Sequence, residues 1–126
     1  MKLNLDLIRD ILIAVSASLS PDEDGVVTQI SPHDLAKDEL SNYPQNEALY
    51  WMRQLLDSGI LVAGSRYIDE SMPRIKDLSL AGYQFIENTS KPAIWEKIRT
   101  QLIRTEVSSL PDIIRYAIEA GSALIS

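Results

Sequence analysis

Apolar residues recur every three or four positions through most of the chain, and short β-branched runs interrupt that rhythm. Leu7, Ile8, Ile11, Leu12 and Val15 share one side of a helix drawn from Leu5 to Ser18, opposite Asp6, Arg9 and Asp10. Asn4 is placed to cap it, and Asp6 in the first turn suits the helix dipole. The polar stretch Ser20 to Gly25 breaks the pattern, and Val26 to Ile30 predicts a short strand. Ser31, Pro32 and Asp34 then read as the cap, first residue and acidic third position of a brief second helix carrying Leu35 and Ala36.

The clearest element is a third helix over Gln45 to Ser58. Ala48, Leu49, Trp51, Met52, Leu55 and Leu56 form its apolar face, while Asn46, Tyr50, Arg53, Gln54 and Asp57 point outward. Gly59 stands where a left-handed cap is expected, with Ile60 folding back on the last turn. Strands are predicted at Ile60 to Ala63, Arg66 to Ile68 and Arg74 to Leu78. Three more helices follow. The fourth, from Ser79 to Asn88, has Leu80, Tyr83, Phe85 and Ile86 as its apolar set. The fifth, from Lys91 to Arg104, packs through Ile94, Trp95, Ile98 and Leu102. The last carries Ile113, Ile114, Ala117, Ile118 and Leu124.

This order predicts an α+β, mostly helical fold: a winged-helix-like core with additional C-terminal helices. The core comprises three helices plus a β-hairpin or three-stranded wing. The expected organisation is a single domain over 1–126, with the core in 4–78 and a helical extension in 79–126 packed on it.

Composition changes the picture mainly by exclusion. At 126 residues, 45% hydrophobic and 24% charged, the chain can build a core without staples. It has no cysteine, so disulfides, thiolate metal sites and cysteine nucleophiles are excluded together. No apolar run reaches the roughly 18–20 residues that cross a bilayer, and Asp6, Arg9 and Asp10 argue against a leader peptide. A cytoplasmic location without membrane contact is expected. Net charge is -6, and residues 1–42 hold three basic against eight acidic side chains.

Several stretches resemble a family of domains of unknown function found in phages, prophages and bacterial genomes. The run Asp77-Leu78-Ser79-Leu80-Ala81-Gly82-Tyr83-Gln84-Phe85-Ile86-Glu87-Asn88, followed by Ile94-Trp95-Glu96-Lys97-Ile98, is similar to its LTxxGHEFLDxIR and WxKxK pattern. Asp6 to Leu12, Leu55 to Leu61 and Ser109-Leu110-Pro111 fit its opening, its "LLxxGLI" turn and its end. The chain departs from it at Trp51 and Tyr83, where the family often has histidine. The resemblance implies a small winged-helix-like protein of mobile elements and supplies no established activity.

Catalytic equipment is not expected. His33 is the sole histidine and opens a helix, leaving no Ser-His-Asp set. Asp22-Glu23-Asp24-Gly25 echoes a calcium loop, but its twelfth position is Ser31, so a solvated turn is expected, with no metal and no cofactor. The remaining candidates are contact residues: Asn46, Tyr50, Arg53 and Gln54 on the third helix, with Arg66, Arg74 and Lys76 on the wing. They suit a protein partner or, as the alternative, DNA read by a winged-helix transcriptional regulator. Asp57, Glu70 and Asp77 interleave with them, and the net charge disfavours phosphate binding. The expected function is that of a non-enzymatic, phage-type interaction protein, for instance an inhibitor or neutraliser of a host or mobile-element protein. The small-residue run Ala117, Ala120, Gly121, Ala123, Leu124, Ile125 offers a homodimer face.

Overall fold

The computed structural model describes residues 3–66, 70–106 and 109–125, with no side-chain description at 125. Among these residues the fold is α+β and mostly helical, with six helices and a two-stranded antiparallel sheet. The chain divides into two compact units, Met1–Ser79 and Leu80–Ser126.

In the first unit, helix α1 (Leu5–Ser18) opens with Asn4 Oδ1 accepting a bond from the Leu7 amide at 3.1 Å. Leu7, Ile8, Ile11, Leu12 and Val15 are all buried, as the periodicity predicts. Each such side chain contributes roughly 1.5–3 kcal/mol of transfer free energy. Helix α2 (Pro32–Asp38) starts behind Ser31, whose hydroxyl oxygen accepts from the Asp34 amide, and buries Leu35 and Ala36. Helix α3 (Gln45–Asp57) buries Ala48, Trp51, Met52 and Leu55. It ends in a double-bonded cap: the Ile60 amide donates to the Leu55 carbonyl and the Gly59 amide to that of Leu56, both at 3.1 Å. Gly59 adopts φ +80°, a conformation that L side chains rarely enter.

The cap delivers the chain into strand β1 (Leu61–Ala63), which pairs with β2 (Ile75–Leu78). Leu61 lies opposite Leu78 and Val62 opposite Asp77, but Ala63 pairs with Ile75. Lys76 is thereby skipped by the register, a bulge that leaves it exposed. Helices α1 and α2 pack on α3, while α1 also packs on β2 and α3 on β1.

The expected strand from Val26 to Ile30 breaks into two separate bridges. Val27 pairs with Pro21, closing the polar turn, while Ile30 exchanges two 2.8 Å backbone bonds with Ile75. Pro21 has no amide to extend a ladder, and the Gln29 side chain is drawn to the Ser65 amide at 2.8 Å. Arg66 lies outside any strand; the rest of the expected Arg66 to Ile68 strand falls outside the described residues.

The second unit holds α4 (Leu80–Asn88), α5 (Pro92–Thr105) and α6 (Leu110–Ile125), with α6 packed on both others. Phe85 is fully buried and meets the Trp95 ring edge-on, centroids 5.9 Å apart. Three expected core residues are corrected: Leu80 is 74% exposed, and Tyr83 and Leu124 are each 44% exposed. The buried residues of α4 are instead Gly82 and Phe85, and just past its end the Thr89 hydroxyl, also buried, donates to the Phe85 carbonyl at 2.7 Å. Leu80 and Tyr83, three residues apart, share a different face.

Candidate functional site

Among the described residues no group of His, Asp or Glu side chains is arranged to hold a metal ion, and no helix is long and apolar enough to cross a membrane. His33 is exposed in the first turn of α2. The Asp22 loop uses its carboxylate internally: Oδ1 accepts from the Asp24 and Val26 amides, both at 2.9 Å. That bonding makes it a self-satisfied turn.

The predicted contact residues fall into three situations. Asn46, Tyr50 and Arg53 are exposed along α3, one turn apart in succession, and Gln54 beside them is half-buried. Tyr50 sits edge-on to Trp51 at 5.0 Å between centroids, so its ring is held against the core by its neighbour. Lys76 projects from the bulge of β2, and Arg66 is exposed just beyond β1. Arg74 is different. Its guanidinium binds Glu70 Oε1 at 2.8 Å with both side chains about three-quarters covered, so it serves the loop before β2.

Two buried polar details in this unit escape sequence reading. The Tyr43 hydroxyl donates to Asp10 Oδ2 at 2.5 Å, a contact across 33 residues. Burial pushes the Tyr43 phenol well above its ordinary value, and the bond to Asp10 adds to this. Trp51 is buried with its Nε1 lacking an acceptor among the described residues. An unmade bond of that kind costs roughly 1–3 kcal/mol.

The second unit contributes a surface of its own. Between α5 and α6 runs an open groove of about 760 Å³. One wall comes from Ala93, Lys97, Thr100 and Gln101 of α5, and the other from Tyr116, Ala120, Ala123 and Leu124 of α6. Glu96 also borders it, bound at 2.5 and 2.7 Å by Arg99. The small residues of α6 therefore have two separate tasks. Ala117 and Gly121 are buried, and a methyl group on Gly121 would run into the Asn88 carbonyl of α4. Asn88 Nδ2 in turn donates to the Ile118 carbonyl at 3.2 Å. Ala120, Ala123 and Leu124, on the adjoining face, border the groove. The side chain of Ile125 lies outside the described residues. The spacing of small residues in α6 signals a close helix crossing, but not which of them meets α4.

No curated protein and no solved structure matches the chain. A family model described as a hypothetical protein, DUF2513, matches residues 2–108. That span includes the contact residues on α3 and the wing and the α5 wall of the groove, but not α6.

Proposed function

The chain belongs to this family of hypothetical proteins, and we propose that it is a non-enzymatic interaction protein of phage or prophage type, acting through protein–protein contacts on a winged-helix-like core. The observation that carries this reading is the charge of the unit containing α3 and the wing. Residues 1–79 hold seven basic and thirteen acidic side chains, whereas residues 80–126 hold five of each. Exposed Arg53 shares its helix with Glu47 and Asp57, and Arg74 is already bound to Glu70. Phosphate binding needs a surplus of cations; a mixed-charge surface suits a protein partner. Inhibiting or neutralising a host or mobile-element protein is one concrete form. The tagged protein is expected to retain a stoichiometric partner from a bacterial lysate, and Arg53→Glu to weaken that retention. Duplex DNA binding without any protein partner would sink the reading.

A second reading, a winged-helix transcriptional regulator, draws on one specific observation. Ile30, between α1 and α2, bridges to Ile75 of the β1–β2 hairpin that follows α3. A bridge from this segment to the hairpin is in keeping with winged-helix order, in which the third helix would enter the major groove. This reading expects sequence-specific duplex binding that weakens steeply with salt and is reduced by Arg66→Ala or Lys76→Ala. Absence of any mobility shift at low salt rejects it.

A further inference from the structure

We propose that the α5–α6 groove receives an amphipathic helix of another protein, one carrying an apolar stripe flanked by acidic residues. The inference rests on the interaction reading above and supplies the chemistry of the partner. The α6 wall is apolar at Ala120, Ala123 and Leu124, beside Tyr116, and Leu124 is 44% exposed. Ile103, 65% exposed, continues the outer edge of α5 beyond Glu96 and Thr100 at helical spacing. Apolar anchors at i, i+3, i+4 and i+7 are what such a groove accepts.

Charge decides the kind of helix. The α5 wall presents Lys97, and Arg104 falls on the same face two turns further along. Both are exposed, and neither has an ion pair among the described residues. By contrast, Glu96 is neutralised by Arg99, and Asp112 of α6 by Arg115 at 2.8 Å. The groove therefore has an apolar wall and a wall that carries Lys97, and Arg104 lies about 10 Å further along the same face of α5 at 1.5 Å per residue, just past the lining residues. A partner helix with Asp or Glu at i and i+7, beside its apolar stripe, matches both.

The test is selection of helical peptides from a display library against the full-length protein, followed by fluorescence anisotropy on the winners. Enriched sequences are expected to combine an apolar i, i+3/i+4, i+7 stripe with acidic residues on one flank. Ala120→Trp, which fills the groove, is expected to weaken them more than tenfold. The surface double variant Lys97→Glu/Arg104→Glu, which leaves the apolar contacts intact, is expected to do likewise and to be rescued by peptides with Lys in place of the acids. Circular dichroism establishes that each variant is folded; should Ala120→Trp unfold the unit, the charge reversal and its rescue decide. Enrichment of basic peptides, or binding indifferent to these variants, overturns the proposal. So does a concentration-dependent dimer abolished by Ala120→Trp, which would give the groove to a second copy of the chain. A lysate partner still retained by both variants would leave the interaction reading standing and remove only the groove.

Discussion

Two glycines, one in each unit, show how differently the halves of this chain are held. Gly59 is needed for its backbone: φ is +80°, and a methyl group there would meet nothing within 4 Å. Gly121 is needed for space, since a methyl group would strike the Asn88 carbonyl. The helix ends of the first unit are set by local devices, namely the Asn4, Ser31 and Gly59 caps, each satisfying backbone groups near in sequence. The second rests on side-chain fit between helices, with α6 against the neighbouring α5 and against α4, two helices earlier. One halves its work between strands and helices and carries the net acid; the other is helical and charge-balanced.

The largest effect should come from the centre of the fitted unit. Phe85→Ala removes a fully buried ring and its edge contact with Trp95, and is expected to cost about 3–5 kcal/mol in denaturant unfolding. A loss below 1 kcal/mol would mean that the α4–α6 layer closes over the gap and is not the tight fit described. Gly121→Ala comes next, at about 1–3 kcal/mol from overpacking. Its counterpart Gly59→Ala is expected to cost about 1 kcal/mol from backbone strain alone. If the two glycines were equal, the contrast between conformation and space would fail; hydrogen exchange resolved along the chain reads which helices loosen in each.

Tyr43→Phe sharpens the comparison in the first unit, where long-range polar contacts such as Tyr43 with Asp10 and Gln29 with Ser65 join the local devices. Loss of the bond to Asp10 is expected to cost roughly 0.5–1.5 kcal/mol at neutral pH. The phenol is raised in the folded state above its unfolded value near 10. Its contribution is therefore complete below pH 10 and declines as pH rises beyond it. Alkaline titration of stability should show that decline in the wild type and a shallower one in the variant. Smallest of all, Leu80→Ser should shift the melting midpoint hardly at all, within about 0.5 kcal/mol, because that side chain is 74% exposed. A marked loss would return Leu80 to the core role that periodicity assigns it.

Legibility followed the same division. The caps of α1 and α2, the Gly59 turn and the buried face of α1 were readable because each depends on residues within about one helical turn of one another. The break of the Val26 to Ile30 run was not, since it depends on which distant amides Val27, Gln29 and Ile30 find. Of the candidate site, exposure of Asn46, Tyr50 and Arg53 followed from helical spacing, while the commitment of Arg74 to Glu70 and the bulge at Lys76 required the folded hairpin. Gly82, Phe85 and Trp95, which bury or pack, lie within the span of the family match, whereas the groove wall opposite α5 lies beyond it.

What the sequence determined by itself is therefore the set of helices, their caps, the acidic balance of residues 1–79 and the lack of cysteine chemistry, all properties of residues and near neighbours. Only the tertiary structure decided which face of α4 is buried, which small residues of α6 meet α4 and which border a groove, and which cation lining it has no ion pair among the described residues. Periodicity fixes that a helix has an apolar side; the partner that occupies each part of that side is chosen by packing among segments that the chain order keeps apart.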